Sequence, residues 1–195
     1  MNPEKFLEIM HVAENLKNNT RHSWTSTGRH ESVAEHSWRL TLMAYLMKDE
    51  FPMADINKVM LMCLVHDIGE AVTGDIPSFL KTDTDESIEE DAVTKLLETF
   101  PEPYKTELTE LFTEMNALET LESKIYKALD KMEAVIAHNE GDITTWLPLE
   151  YELNQTYGTK ETEFSDYLKD LRKVVHEETV EKINQSKNSN SAMEK

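Results

Sequence analysis

The sequence predicts an all-α chain, and three observations carry that prediction. Apolar residues recur at helical spacing along most of the 195 residues, only five glycines and six prolines interrupt them, and no run of β-branched residues alternates with period two. Glu, Leu, Lys and Met are abundant, as a helix-forming composition requires.

Each element follows from local signals. Phe6, Ile9, Met10, Ala13 and Leu16 give a first amphipathic helix that stops near Asn18 and Asn19, and the polar stretch from Thr20 to Glu31 reads as irregular. Ser32 and Glu35 form a capping box ahead of Leu40, Met43, Ala44 and Met47, so a second helix runs from about Val33 to Asp49 with His36 on its buried face. Pro52 breaks the chain. Asp55 then caps a third helix whose stripe of Val59, Met62, Cys63 and His66 ends near Gly69. Gly74-Asp75-Ile76-Pro77 is a turn signal, and Ile88, Ala92, Leu96 and Phe100 mark a fourth helix that Pro101 and Pro103 close. Further helical patterns lie around Tyr104 to Met115 and Glu119 to Asn139, with Gly141 as a stop. A short segment near Pro148 to Tyr157 and a long one from Thr162 to about Ile183 complete the chain. Residues 1–183 read as one domain, and the polar residues 184–195 as a disordered tail.

Composition narrows the function classes. The net charge of -18 argues against binding a nucleic-acid polymer, which needs many Lys and Arg contacts to phosphate, but leaves room for a small phosphate ester beside a dication and one or two Arg. No apolar run is long enough to span a bilayer and the N-terminus lacks a secretory apolar segment, so the expected location is the cytoplasm, with no membrane partner. Cys63 is the only cysteine, so any metal must be held by His, Asp and Glu.

The pair His66-Asp67 is the strongest chemical signal, because it sets two metal-capable side chains where the apolar run Val59 to Val65 should continue. Alone it is weak. His36 lies on the core-facing stripe of the preceding helix, and Asp130 interrupts a helix beside Ala128, Leu129, Met132 and Ala134. Each alone is an ordinary core histidine or helix-face charge; together with the dyad they make a mixed nitrogen and oxygen donor set. Such a set suits Mn, Fe, Co, Ni or Zn, whereas Ca prefers oxygens only. Glu70 and Asp75 follow closely and supply spare carboxylates near a metal-activated water.

The ordered pattern His36, His66-Asp67, Asp130 resembles the H…HD…D signature of the HD-domain metal-dependent phosphohydrolases. Within that family, Arg29-His30-Glu31-Ser32-Val33-Ala34-Glu35-His36-Ser37 and His66-Asp67-Ile68-Gly69-Glu70-Ala71-Val72-Thr73-Gly74-Asp75 resemble the two motif elements of the 5'-deoxynucleotidase branch. The resemblance covers roughly Asn15 to Glu140 and implies an HD-domain helical bundle, here with an additional C-terminal helix. It implies His36, His66, Asp67 and Asp130 as ligands to a divalent metal ion (Mn, Co, Fe, Ni, Zn or Mg), Glu70 as catalytic acid or base, and Asp75 as a second acidic residue positioning water. It further implies Arg21 and Trp24 as nucleotide contacts, a (deoxy)nucleoside 5'-monophosphate as the small-molecule substrate, and a homodimer. The interval from Trp24 to His36 is shorter than in those relatives, which leaves base and sugar preference open, and Trp24 reads equally as a core residue. Two other readings keep the site: a phosphohydrolase acting on a phosphodiester or nucleoside triphosphate, and a non-catalytic, metal-stabilised binding module.

Overall fold

Helix boundaries fall where capping residues put them. The computed structural model describes residues 1–193, in the order α1 (Pro3–Ala13), α2 (Asn15–Asn18), β1 (Thr20–Trp24), β2 (His30–Ser32), α3 (Val33–Leu46), α4 (Ile56–Val65), α5 (Glu70–Thr73), α6 (Asp83–Glu98), α7 (Tyr104–Ala117), α8 (Leu121–Glu140), α9 (Glu150–Thr156) and α10 (Asp166–Met193). Ser32 Oγ accepts from the Glu35 amide at 3.2 Å while Glu35 Oε2 accepts from the Ser32 amide at 2.9 Å, so the expected capping box opens α3. Asp55 caps α4 through the amides of Asn57 and Lys58, and a second capping box, Thr82 with Asp85, opens α6. No described helix is long and apolar enough to cross a membrane.

The all-α expectation holds, with one addition. The stretch from Thr20 to Glu31, expected to be irregular, contains the hairpin of β1 and β2. Its turn closes through the Thr25 amide to the Arg29 carbonyl at 2.8 Å and the Gly28 amide to the Thr25 carbonyl at 3.0 Å, and Gly28 takes φ +80, a conformation that costs a glycine little. Two strands this short carry no alternating apolar pattern, which is why periodicity misses them. The first helix breaks at Glu14 into α1 and α2. The last one continues past Ile183 to Met193, so residues 184–193 are helical where a disordered tail was expected; Glu194 and Lys195 lie outside the described residues. No Gly or Pro stops the chain there, and extending an existing helix costs far less than starting one.

Packing divides the chain into two compact units, one of residues 1–22 and 31–126, the other of residues 23–30 and 127 onward. In the first unit α3 and α4 lie against each other, and Val33, Leu40 and Ala44 of α3 with Val59, Met62 and Cys63 of α4 are wholly buried. Burying a side chain such as Leu40 or Met62 contributes about 1.5–3 kcal/mol, so this seam fixes the two helices. In the second unit Ala128, Leu129, Met132 and Val135 of α8 and Leu168 and Val175 of α10 are buried. Asn139 joins these helices, donating to the Val175 carbonyl at 3.1 Å and accepting from Thr179 Oγ1 at 3.0 Å. Arg172 is buried and donates to the carbonyls of Asn154 and Tyr157, both at 3.0 Å, where its charge complements the C-terminal end of α9.

One close approach sets where α6 sits. A Cβ at Gly69 would stand 2.6 Å from Cγ2 of Val93, a β-branched side chain with little rotamer freedom in a helix. Gly69→Ala therefore pushes α6 away from the segment carrying the His-Asp pair. It is expected to destabilise the protein by about 1–3 kcal/mol, and Val93→Ala in the same chain should recover part of that loss. Chemical denaturation of the two single variants and the double variant measures this, and additive losses would show that the two residues do not meet.

Candidate metal and phosphate site

The first unit gathers most of the expected site. His36 lies on the buried face of α3 with no exposed surface, and His66 follows the last residue of α4, its amide still bonded to the Met62 carbonyl at 3.0 Å. Seating α3 on α4 brings His36 Nε2 to 3.2 Å from His66 Nε2. Asp67 Oδ2 lies 3.0 Å from His66 Nε2 and 3.8 Å from His36 Nε2. The Nδ1 of His66 faces the Cys63 carbonyl at 3.0 Å, so a proton on Nδ1 is held there and the Nε2 lone pair turns toward His36 and Asp67.

That convergence tests whether a cation fits. Two buried imidazole nitrogens and a carboxylate oxygen, mutually within 4.8 Å, point their lone pairs at one small volume. Such an arrangement is repulsive unless a proton or a cation lies between the donors, and two nitrogens with one oxygen suit a divalent first-row ion. The residues present fit that group.

Arg21 enters from β1, with Nη1 at 3.4 Å from Asp67 Oδ2 and Nε at 3.7 Å from Glu31 Oε2. Burial alone would push the Asp67 carboxyl up; His66, His36 and Arg21 together outweigh it and hold the group well below the usual carboxylate range. Glu70 opens α5, is buried, and its Oε2 has no hydrogen-bond partner among the described residues. Burial, with Asp67 and Asp75 adding negative charge, pushes its carboxyl up to about 9. Asp75 follows Gly74, whose φ of +76 turns the chain, and is raised mainly by burial and by Asp67, with Arg21 and Lys81 opposing.

Three positioning groups escape the sequence reading. Asn19 donates its side-chain amide to the Glu70 carbonyl, and Asn15 donates to the Ala71 carbonyl at 3.0 Å, tying α5 to the N-terminal helices. The sequence marks Asn19 only as a helix end and gives Asn15 no role. Glu89 of α6 offers a carboxylate oxygen within 4.8 Å of those of Asp67 and Glu70, and it pairs with Lys81. Nothing in its local sequence distinguishes Glu89 from the other acids of α6. Glu31, by contrast, stands inside the quoted Arg-x-Glu motif and could have been singled out there.

Two expected site residues lie in the second unit. Asp130, on α8, takes an ion pair from Lys127 at 2.8 Å. Trp24 stacks obliquely on His30 at 4.0 Å between ring centroids, and its carbonyl lies 2.7 Å from where a Cβ on Gly141 would stand. The structure thus brings together His36, His66, Asp67 and Arg21, with Glu70 and Asp75 close by in the same unit.

Comparison with known proteins follows the same line. The sequence profile of the HD domain matches residues 13–172. The chain is 31% identical over 138 residues to 5'-deoxynucleotidase HDDC2 of Bos taurus and 30% identical over 138 residues to its Homo sapiens counterpart, in each case over 69% of this chain. It spans 66% and 67% of the length of those two relatives. Among solved structures, a predicted metal-dependent phosphohydrolase from Magnetospirillum magnetotacticum superposes with a TM-score of 0.77 at 25% identity, covering 92% of this chain and 93% of that one. A conserved hypothetical protein from Pyrococcus furiosus gives a TM-score of 0.66 at 26% identity, with 88% and 98% covered.

The raised Glu70 carboxyl makes stability depend on pH. In metal-free protein the folded state keeps this proton up to about pH 9, whereas the unfolded chain releases it near the ordinary value of 4.5. Between those values the folded state binds more protons, so this group's contribution falls as pH rises, by up to about 1.4 kcal/mol per pH unit. Denaturation midpoints measured with chelator from pH 5 to 9 should decline more steeply in the wild type than in Glu70→Gln; parallel curves would contradict the assignment.

Proposed function

We propose that this chain, which belongs to the HD-domain family, is a metal-dependent phosphohydrolase that cleaves (deoxy)nucleoside 5'-monophosphates to nucleoside and phosphate. The observation that carries the reading is the meeting of His36 Nε2, His66 Nε2 and Asp67 Oδ2 beside a buried, unpartnered Glu70 carboxylate oxygen. Relatives named 5'-deoxynucleotidase support the substrate class. The family profile matches residues 13–172, which supports reading residues 1–183 as one HD domain. Cys63, buried and the one cysteine of the sequence, suits a cytoplasmic protein.

His36, His66 and Asp67, with Asp130 assigned by its place in the motif, would hold a divalent ion, which when bound would supply Lewis acidity to the phosphoryl group and lower the pKa of water from 15.7 to roughly 7. The chain's own groups do the rest. Hydrolysis forms one P–O bond to water, breaks the bond from phosphorus to the 5'-oxygen, and delivers a proton to that oxygen. Glu70 is placed to carry that proton, taking it from the attacking water and giving it to the 5'-oxygen, from a carboxyl that burial, Asp67 and Asp75 push up in the metal-free chain. Arg21 presents a guanidinium at the mouth of the donor set, where it neutralises charge on the equatorial phosphate oxygens. Asp75 orients water. Trp24 is assigned to the nucleoside by its position in the motif.

The test is a phosphate-release screen of ribo- and deoxyribonucleoside monophosphates with Mn, Co, Mg and Zn, using nucleoside diphosphates, triphosphates and cyclic dinucleotides as controls. Monophosphates should be the preferred substrates; preference for a triphosphate or a diester overturns the substrate assignment. Asp67→Ala should abolish both metal binding and turnover, and full activity in metal-stripped Asp67→Ala protein would refute the ligand set. Glu70→Gln should bind metal yet lose about 10²–10⁴-fold in kcat; an unchanged kcat would remove Glu70 from the proton transfer.

A further inference from the structure

The chain between Asp75 and α6 carries a cation to the acidic side of the site. The Leu80 and Lys81 amides both donate to the Pro77 carbonyl, at 2.8 and 3.2 Å, closing a turn just after Asp75. Thr82 then caps α6, so the backbone of Lys81 is fixed from both sides. Its ammonium pairs with Oε2 of Glu89 on α6, and both side chains are only 23% exposed. The Glu89 carbonyl lies 3.6 Å from where a Cβ on Gly69 would stand, and a Glu89 carboxylate oxygen lies within 4.8 Å of those of Asp67 and Glu70. The close approach of α6 at Gly69 thus sets Glu89, and with it Lys81, beside the His-Asp segment.

A structural role explains little of this placement. A partly exposed ion pair contributes little to stability, and the N-terminal end of a helix disfavours a nearby cation. The charge of Lys81 nevertheless reaches the acids of the site. Burial opposes it, but Glu89, Glu70 and Asp67 outweigh burial and hold the ammonium above the ordinary lysine value. Burial raises Asp75, and Arg21 and Lys81 both counter that rise. Arg21 is already divided between Asp67 at 3.4 Å and Glu31 at 3.7 Å. An ammonium has three N–H donors, of which one carboxylate oxygen engages one, so Lys81 can keep Glu89 and still reach a second anion.

We propose that Lys81, positioned by Glu89, is a second phosphate-binding residue beside Arg21, and that it makes the site prefer a phosphomonoester to a phosphodiester. The assignment rests on the phosphohydrolase reading above and deepens it. A monoester carries about -1.5 to -2 charges at neutral pH, whereas a diester carries one. The extra charge must enter among the carboxylates of Asp67, Asp75 and Glu89, which repel it. A compact ammonium on a flexible four-carbon stem can follow a phosphate oxygen there, while the planar Arg21 fork stays with Asp67 and Glu31. A diester gains less from Lys81 because it has less charge to neutralise.

Titration calorimetry of the full chain loaded with Mn tests this with three probes: inorganic phosphate, methyl phosphate and dimethyl phosphate. The wild type should bind methyl phosphate more tightly than dimethyl phosphate. Lys81→Met should weaken inorganic phosphate and methyl phosphate by about 10- to 100-fold and narrow the preference over dimethyl phosphate. Its Mn affinity should be no lower than that of the wild type, because removing a positive charge cannot reduce the attraction for a cation. Lys81→Arg should keep most of the phosphate affinity. Lys95→Met removes the same charge from an exposed position of α6 and should bind phosphate as the wild type does. Unchanged phosphate binding in Lys81→Met, an equal loss in Lys95→Met, a Lys81→Arg variant as weak as Lys81→Met, a fall in Mn affinity that accounts for the loss, or a wild type that binds no phosphate would each overturn the proposal. Preference for a triphosphate in the turnover screen would instead refute the monophosphate reading and leave Lys81 as assigned, so the two failures are distinguishable.

Discussion

Everything at the site depends on burying two imidazoles and a carboxylate at the seam between α3 and α4. Polar groups removed from water cost several kcal/mol unless compensated, and here compensation comes from opposite charge rather than from a backbone ladder. His66 is oriented by the Cys63 carbonyl, Asp67 is held ionised by His66, His36 and Arg21, and the surroundings of Glu70, like those of Asp75, push its carboxyl up. Two acids three residues apart therefore end in opposite protonation states.

The seam must be rigid to hold such geometry, and its packing shows how it is made so. Six wholly buried side chains lock α3 to α4, while Gly69 lets α6 approach the segment just after the His-Asp pair. The inner sides of α3 and α4 thus define the donors.

The sequence shows the elements more clearly than their junctions. The Ser32–Glu35 capping box, the Asp55 cap and apolar stripes place α3 and α4 within a few residues, because those signals are local, whereas the Thr82–Asp85 box that opens α6 went unread. The hairpin of Thr20–Ser32 was hidden because strands of five and three residues show no usable period, and the extension of α10 because nothing in residues 184–193 either demands or forbids helix. At the site, His36, His66, Asp67, Glu70 and Asp75 were legible through motif order. Glu89, Asn15 and Asn19 were not, since their importance lies in reaching across more than fifteen residues of chain to a group that local patterns do not mark.

Asn19 gives that reach an unusual fragility. A single side-chain amide joins the end of α2 to the carbonyl of Glu70, with Asn15 holding the next carbonyl along. An amide of this kind is a donor only while it keeps its nitrogen; hydrolysis to aspartate replaces donor with acceptor and sets a fresh negative charge against the backbone of the acid. The clasp would then repel what it had held, without any change in the metal donors. Protein that has aged by deamidation at this position would keep its helices and lose the tether that holds the Glu70 backbone.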